Sequence, residues 1–228
     1  MGGDAVALPV IAVTGMAFEA RIARGAGMQA VYAARADLLE RALNEALARG
    51  AAGVVSFGTA GGLAPDLEPG TVVIADAIDG PFGRVQTDVE WSERMAAELA
   101  ATPLRSALRR GTLAAVGAPV VTVADKAALH RVSGALAVDM ESHIVAKMAA
   151  ERGLPFAVCR AIVDPAWRTL PPAAMAGLRD DGTTAVMPVL VSLAKAPRQL
   201  GALLRVAADA RAARIALMQA RHAVPLVR

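Results

Sequence analysis

The sequence predicts a single α/β domain, and three observations predict it. Short, continuous apolar runs of strand type alternate with segments of helical spacing; glycines follow the helical segments; and polar or Gly-rich residues stand at the ends of several apolar runs. Continuous apolar strands separated by helices belong to a sheet covered on both faces. The expected architecture is an α/β/α sandwich around a central twisted mixed sheet. No internal repeat or linker divides the chain, so residues 1–228 read as one domain with a basic helical tail from about residue 195.

The elements follow in order. Val10–Val13 is a β-branched run ending in Thr14-Gly15. Asp37–Arg49 has helical spacing through Leu38, Leu39, Ala42, Leu43, Ala46 and Leu47, and Gly50 closes it as a C-terminal cap. Gly53–Phe57 reads as a strand running into a turn at Gly58–Gly62. Thr71–Ala75, introduced by Pro69-Gly70, is the next strand, followed by Thr112–Val116, Val120–Val123 and Phe156–Ile162. A helix is expected from Ser142 to Arg152, ending at Gly153. Asp164–Asp181, rich in Pro, Gly and Ala, connects to the last helices.

Composition narrows the function classes. Hydrophobic residues make up 55% of the 228, which excludes a disordered chain. The longest uncharged stretch, which contains Ala51–Pro65, is interrupted by glycines and falls short of the roughly 18 apolar residues that suggest a membrane-spanning helix. MGGDAVALPV lacks the pattern of a signal peptide, and a cytoplasmic protein is expected. The lone Cys159 forms no internal disulfide and sits in an apolar strand as a small hydrophobe.

A net charge of +3 and a pI near 9.6 suggest a nucleic-acid partner at first sight. The distribution argues otherwise. Lys195–Arg228 holds seven basic residues and one acid, Asp209, for +6, so the first 194 residues carry −3. Aromatics at 3% are too few for a base-stacking platform, and no nucleic acid is expected.

In open α/β sheets a ligand sits beyond the carboxyl ends of the strands. Four stretches qualify: Thr14-Gly15-Met16-Ala17-Phe18-Glu19, Gly58-Thr59-Ala60-Gly61-Gly62, Val138-Asp139-Met140-Glu141 and Val163-Asp164. Taken singly, each has an ordinary reading. Glu19 suits a solvated first helical turn, Gly58–Gly62 a tight turn, Asp139 and Glu141 helix capping, and Asp164 before Pro165 a turn. Their order and spacing together carry the signal.

That combination resembles the nucleoside phosphorylase/nucleosidase superfamily, whose members cleave the N-glycosidic bond of nucleosides. Within it the chain is most similar to the methylthioadenosine/S-adenosylhomocysteine nucleosidase branch. The resemblance runs from about Val10 to Trp167 through IAVTGMAFEA, VVSFGTAGGLAPDLEPGTVVIAD and AVDMESHIVAKMAAERGLPFAVCRAIVD. More narrowly, SFGTAGGL and VDMESH resemble the hopanoid-associated members, which remove adenine from adenosylhopane.

The resemblance implies roles residue by residue. Glu19 matches the acid that activates the attacking water. Gly58, Thr59, Ala60 and Gly61 match the loop lining ribose and base. Met140 packs on the sugar, Glu141 accepts from its hydroxyls, and Asp164 meets the purine at N7. No metal and no cofactor are implied, phosphate serving as co-substrate only in a phosphorylase. A homodimer is implied, its neighbouring subunit helping to form the pocket for the 5′ substituent. The candidate pocket wall is the segment Asp164–Pro188, with Trp167, Leu170, Pro171, Pro172, Met175 and Leu178, and an ordinary apolar loop in the dimer interface is the alternative.

The chain also departs from the family pattern. Val163 stands where adenine-specific members carry Ser, and the run Val121–Lys126 lacks an aromatic residue for base stacking. Asp125 and Lys126 read as surface residues, with base recognition as the alternative. Glu19 and Ser56 occupy the positions where phosphorylases place arginines for phosphate. Water is therefore the expected nucleophile, and phosphorolysis, with Arg21 or Arg24 reaching inward, is the second reading.

Outside the enzyme class, a non-catalytic nucleoside-binding protein remains an alternative, although binding alone does not require an acid over the anomeric carbon. GTAGG does not fit the GxGxxG pattern, which disfavours a dinucleotide-binding oxidoreductase. The tail, Pro197–His222, reads as a core-packing helix with a charged face, or else as a basic helix docked peripherally on the inner membrane face. His143 is expected to face neighbouring helices, and His130 and His222 to be exposed.

Overall fold

The computed structural model describes residues 7–224; the first residues read for targeting signals and Arg228 of the tail lie outside that span. β1 (Val10–Thr14), α1 (Ala17–Ala23), β2 (Met28–Tyr32), α2 (Ala36–Leu47) and β3 (Gly53–Gly62) come first. β4 (Val72–Gly80) and β5 (Gly83–Gln86) form a hairpin, followed by α3 (Val89–Ala100) and β6 (Leu108–Ala115). α4 (Val123–Ser133), β7 (Ala137–Asp139), α5 (Ser142–Ala150) and β8 (Phe156–Asp164) come next. After these are α6 (Pro172–Met175), α7 (Val186–Lys195) and α8 (Leu200–Ala223).

The sheet is mixed, and half of it closes on itself. β1 runs parallel to β2 and β3, while β8 runs parallel to β3 and antiparallel to β4. β6 is parallel to both β4 and β7, and β7 returns antiparallel to β3. The circuit β3–β8–β4–β6–β7 thus ends where it began, with β1 and β2 extending from it. The length of β3 makes this closure possible. It follows β8 from Val54 onward, shifts register between Ala60 and Gly61, and pairs Gly61-Gly62 with β7.

Two sequence expectations are corrected here. Gly58–Gly62 is the second half of β3 and not a turn. Glycine in a strand interior permits close approach by other groups, and the side chains that approach are those of the site described below. Val120–Val123 is not a strand, because Thr122 caps α4: its Oγ1 accepts from the Asp125 N–H at 3.1 Å.

Strand alternation sends side chains into two cores, as a sheet between helical layers requires. Ile11, Val13, Val54, Val73 and Val158 pack with Leu39 and Leu43 of α2 and Ile144 and Met148 of α5. Val10, Ala12, Val55, Phe57, Ile74 and Cys159 pack with Trp91 and Met95 of α3 and Ala213 and Leu217 of α8. Fully burying side chains of this size contributes about 1.5–3 kcal/mol each. Cys159 is sealed in the second core, where burial pushes its thiol up to about 12.

The basic tail therefore belongs to the domain. α8 buries Asp209, Ala213, Ala216, Leu217 and Ala220 against the sheet layer. α7, in contrast, buries none of its residues and exposes Val186, Met187, Leu190 and Val191. Among the described residues no helix is long and apolar enough to cross a membrane.

Candidate active site

The ends of β1, β3, β7 and β8 meet in one cleft. Glu19 stands in the first turn of α1, where a carboxylate favours the helix dipole, yet its side chain points inward and is 1% exposed. Three donors hold it. The Met16 N–H reaches Oε2 at 3.0 Å, and the Thr59 N–H and Oγ1–H both reach Oε1 at 2.7 Å. Burial raises the pKa of Glu19, outweighing nearby Arg160 and these hydrogen bonds, which lower it.

At the centre lies a group that the sequence reading did not assign. Arg160, in the middle of β8, is fully buried. Its Nη2 lies 2.7 Å from Asp139 Oδ2 and 3.1 Å from Glu141 Oε2 and donates to Ser56 Oγ at 2.7 Å; Nη1 donates to the Thr59 carbonyl at 3.2 Å. Burial works against its charge, but Asp139, Glu141 and Glu19 prevail and raise its pKa. A lone Arg within the apolar run of β8 was the available signal, since a guanidinium there requires acidic partners.

Asp139 is tied to the next helix: its Oδ1 accepts the Ser142 N–H at 3.0 Å, and the Ser142 and Ser56 hydroxyls lie 2.8 Å apart. Glu141, at the N-terminal cap of α5, is pushed up to about 7. Burial is the main cause, with Asp139 and Glu19 adding to it and Arg160 opposing. Ser56 and Arg160 also bear on the arginine positions considered for phosphate. The guanidinium of this cleft comes from β8, while Arg21 and Arg24 are exposed.

Asp164 ends β8 and is also buried. Its Oδ2 receives the Lys126 ammonium at 2.6 Å. Burial raises its pKa and Lys126 lowers it, with a net upward shift. This corrects the surface reading of Lys126, which is 0% exposed, whereas Asp125 is exposed and hydrogen-bonds to the capping Thr122. The apolar periodicity of α4 is too weak to show which face turns inward.

Two glycines admit these carboxylates. A Cβ on Gly58 would lie 2.8 Å from both Arg160 Nη1 and Glu19 Oε2, and one on Gly15 would collide with Glu141 Oε1. The cleft has a cavity of about 220 Å³ lined by Met16, Thr59, Ala60, Gly61, Val116, Pro119, Val120, Val138, Asp139, Met140, Glu141, Val163, Asp164, Leu170 and Leu178. A recess of about 60 Å³ adjoins it, where Gly15, Glu19 and Arg160 join Met16, Thr59, Met140, Glu141 and Leu178.

Glu19, Thr59, Met140, Glu141 and Asp164 are thus brought together. In place of an aromatic stacking surface, the cavity has an aliphatic wall of Val116, Pro119, Val120 and Val163. Of the proposed 5′ wall, Leu170 and Leu178 line the cavity. Trp167 is 44% exposed and Met175, at the end of α6, is half-buried, and neither lines it. A larger apolar groove, about 510 Å³ between Pro103 and Met218, contains none of these carboxylates.

His143 is half-buried beside the Phe82 ring, its centroid 5.9 Å away, with burial lowering its pKa. His222 is exposed, while His130 is half-buried with Nδ1 2.8 Å from the Ala135 carbonyl oxygen. Among the described residues no group of three or more His, Cys, Asp or Glu side chains is arranged to hold a metal ion.

The sequence matches the family described as the phosphorylase superfamily over residues 5–174, a span that contains Glu19, Thr59, Lys126, Asp139, Glu141, Arg160 and Asp164. The chain belongs to the phosphorylase superfamily. No curated protein matches it in sequence. Among solved structures of similar fold is a Helicobacter pylori MTAN variant with 5′-methylthioadenosine in its active site. It is 16% identical with a TM-score of 0.65, the match covering 96% of this chain and 100% of that one.

The 5′-methylthioadenosine/S-adenosylhomocysteine nucleosidase of S. pneumoniae, solved with a transition-state inhibitor, is 17% identical at a TM-score of 0.64. That match covers 95% of this chain and 99% of the other. A futalosine hydrolase mutant of H. pylori is 16% identical at 0.59, covering 69% and 89%. At such identities the likeness establishes the fold, and this phosphorylase-superfamily chain shares it nearly end to end with the first two.

Proposed function

We propose that this chain cleaves the N-glycosidic bond of a purine nucleoside, with adenine as the base and water as the nucleophile. One observation carries the reading: three buried or nearly buried carboxylates, Glu19, Asp139 and Glu141, surround a single guanidinium. With all three ionised, the cleft is negative. Such a field stabilises the positive charge that develops on the sugar as the bond breaks. It also opposes entry of a divalent phosphate, and Arg160 already has acidic partners.

In this reading Glu19 accepts a proton from water over the anomeric carbon. Its raised pKa makes it a stronger base than an ordinary carboxylate. Glu141 receives the ribose hydroxyls beside Met140, and Gly58–Gly61 form the floor under ribose and base. Asp164 meets the purine near N7 and assists its departure as the leaving base gains negative charge. The named structural relatives that bind or act on 5′-methylthioadenosine support the choice of adenine.

The substrate's 5′ substituent is a bulky hydrocarbon of hopanoid type, as in adenosylhopane. Support comes from the SFGTAGGL and VDMESH resemblance and from the apolar Leu170 and Leu178 beside the cleft. The working form is a homodimer. A lipid-linked substrate also calls for contact with the inner membrane face. The exposed apolar residues of α7, with Leu200, Leu204, Lys195, Arg198 and Arg205, suit an anionic bilayer surface better than the packed half of α8 does.

Release of free base from adenosine, methylthioadenosine and a lipid-linked adenosine tests the proposal. Adenine from all three, fastest from the lipid-linked compound, is expected. Preference for methylthioadenosine would remove the hopanoid assignment, and binding without base release would reduce the protein to a nucleoside carrier.

A further inference from the structure

The fully buried residue of α4 is a lysine. An apolar side chain would dock this helix at less cost, because an ammonium removed from water must be compensated by nearby acceptors. Lys126 Nζ has four. It lies 2.6 Å from Asp164 Oδ2, 3.2 Å from the Asp164 carbonyl oxygen, and 3.0 Å from the carbonyl oxygens of both Pro165 and Arg168. The three carbonyls gather the chain leaving β8 around the ammonium, and the shortest contact goes to the carboxylate.

Asp164 also lines the cavity beside Gly61, where an added Cβ would sit 3.2 Å from Oδ1 and 3.3 Å from Oδ2, and of the two oxygens it is Oδ2 that the ammonium takes. We propose that Lys126 is the positioning residue of Asp164, fixing Oδ2 so that Oδ1 is presented to the purine. The inference rests on the reading above, in which Asp164 meets the base. Its consequence for specificity is that the carboxylate is aimed from α4, across the loop, and needs no hydroxyl at position 163.

The charged groups facing Asp164 are Lys126 from α4 and Asp209 from α8, the latter paired with Arg168 at 2.8 Å. Lys126 favours the ionised carboxylate, while Asp209 and burial disfavour it. Removing the lysine leaves burial and Asp209 opposed only by the backbone hydrogen bond at Asp164 itself, so Asp164 then holds its proton to higher pH. The limb of the pH–rate profile that reports Asp164 must move upward.

Lys126→Met, Lys126→Arg and Asp164→Asn are compared with the parent protein by circular dichroism, thermal unfolding, and kcat and KM for adenine release across pH. In Lys126→Met, kcat is expected to fall about tenfold or more, as loss of an aligned proton-transfer partner does, with that limb shifted upward. Lys126→Arg, which keeps the charge but changes its geometry, is expected to lose kcat with the limb unmoved and KM nearly unchanged.

A folded Lys126→Met with parental kcat, or with reduced kcat and an unmoved profile, overturns the inference. If Lys126→Met does not fold, Lys126→Arg decides, and parental kcat in that variant overturns it. Asp164→Asn separates the two levels of argument. Parental activity there removes the site reading itself, whereas an inactive Asp164→Asn beside an unaffected Lys126→Met removes only the role of the lysine.

Discussion

Arg160 Nη2 and Glu141 Oε2 lie 3.1 Å apart, joining the middle of β8 to the cap of α5 with the guanidinium only 1% exposed. The same nitrogen serves Asp139, and the same charge acts on Glu19. One cation therefore permits three carboxylates to share a small volume. Replacing it by an apolar residue leaves them uncompensated, and loss of one partner from a buried ion pair costs about 3–5 kcal/mol. Arg160→Met is expected to lower the midpoint of urea unfolding accordingly. A shift of under about 1 kcal/mol would contradict this balance of charge.

The carboxylates also make stability depend on pH. Glu141 is raised from 4.5 to about 7 in the folded protein, so the folded state retains a proton that the unfolded chain releases. Stability from this group is fully present below pH 4.5 and is lost as pH rises through about 7. Glu19 and Asp164, also raised, act in the same direction. Tm measured from pH 5 to 8 should therefore decline less steeply in Glu141→Gln than in the parent. Equal slopes would mean that Glu141 is not shifted.

Space at the glycines is equally testable. A methyl on Gly15 would meet Glu141 Oε1, while Gly117 has nothing within 4 Å of the same position. Gly15→Ala should reduce kcat/KM about tenfold or more by displacing Glu141, since small misplacements of site groups carry large rate penalties. Gly117→Ala should remain within about 0.5 kcal/mol of the parent in stability and keep its activity. Parental kinetics in Gly15→Ala would show that Glu141 can move without consequence.

The fold was legible because apolar runs such as Val10–Val13 and Phe156–Ile162 and caps such as Gly50 and Gly153 report local structure directly. Closure of the sheet was not. It depends on β3 changing partners at Gly61, a long-range pairing with no local periodicity. The candidate site was legible where a residue follows closely on a strand or ends it: Glu19 in the helix after β1, Glu141 in the cap after β7 and Asp164 at the end of β8. Arg160 escaped because it lies within a strand, and the burial of Lys126 escaped because its helix is weakly amphipathic. Their importance comes from the acids that the fold brings to them, which spacing along the chain does not reveal.

The most direct measurement is adenine release in phosphate-free buffer by the parent protein and by Glu19→Gln, with the sugar product identified. Free sugar at a rate unchanged by added phosphate is expected from the parent, with a loss of about 10²–10⁴-fold in the folded variant. A strict requirement for phosphate, with a sugar 1-phosphate as product, or undiminished release by Glu19→Gln, would contradict the account.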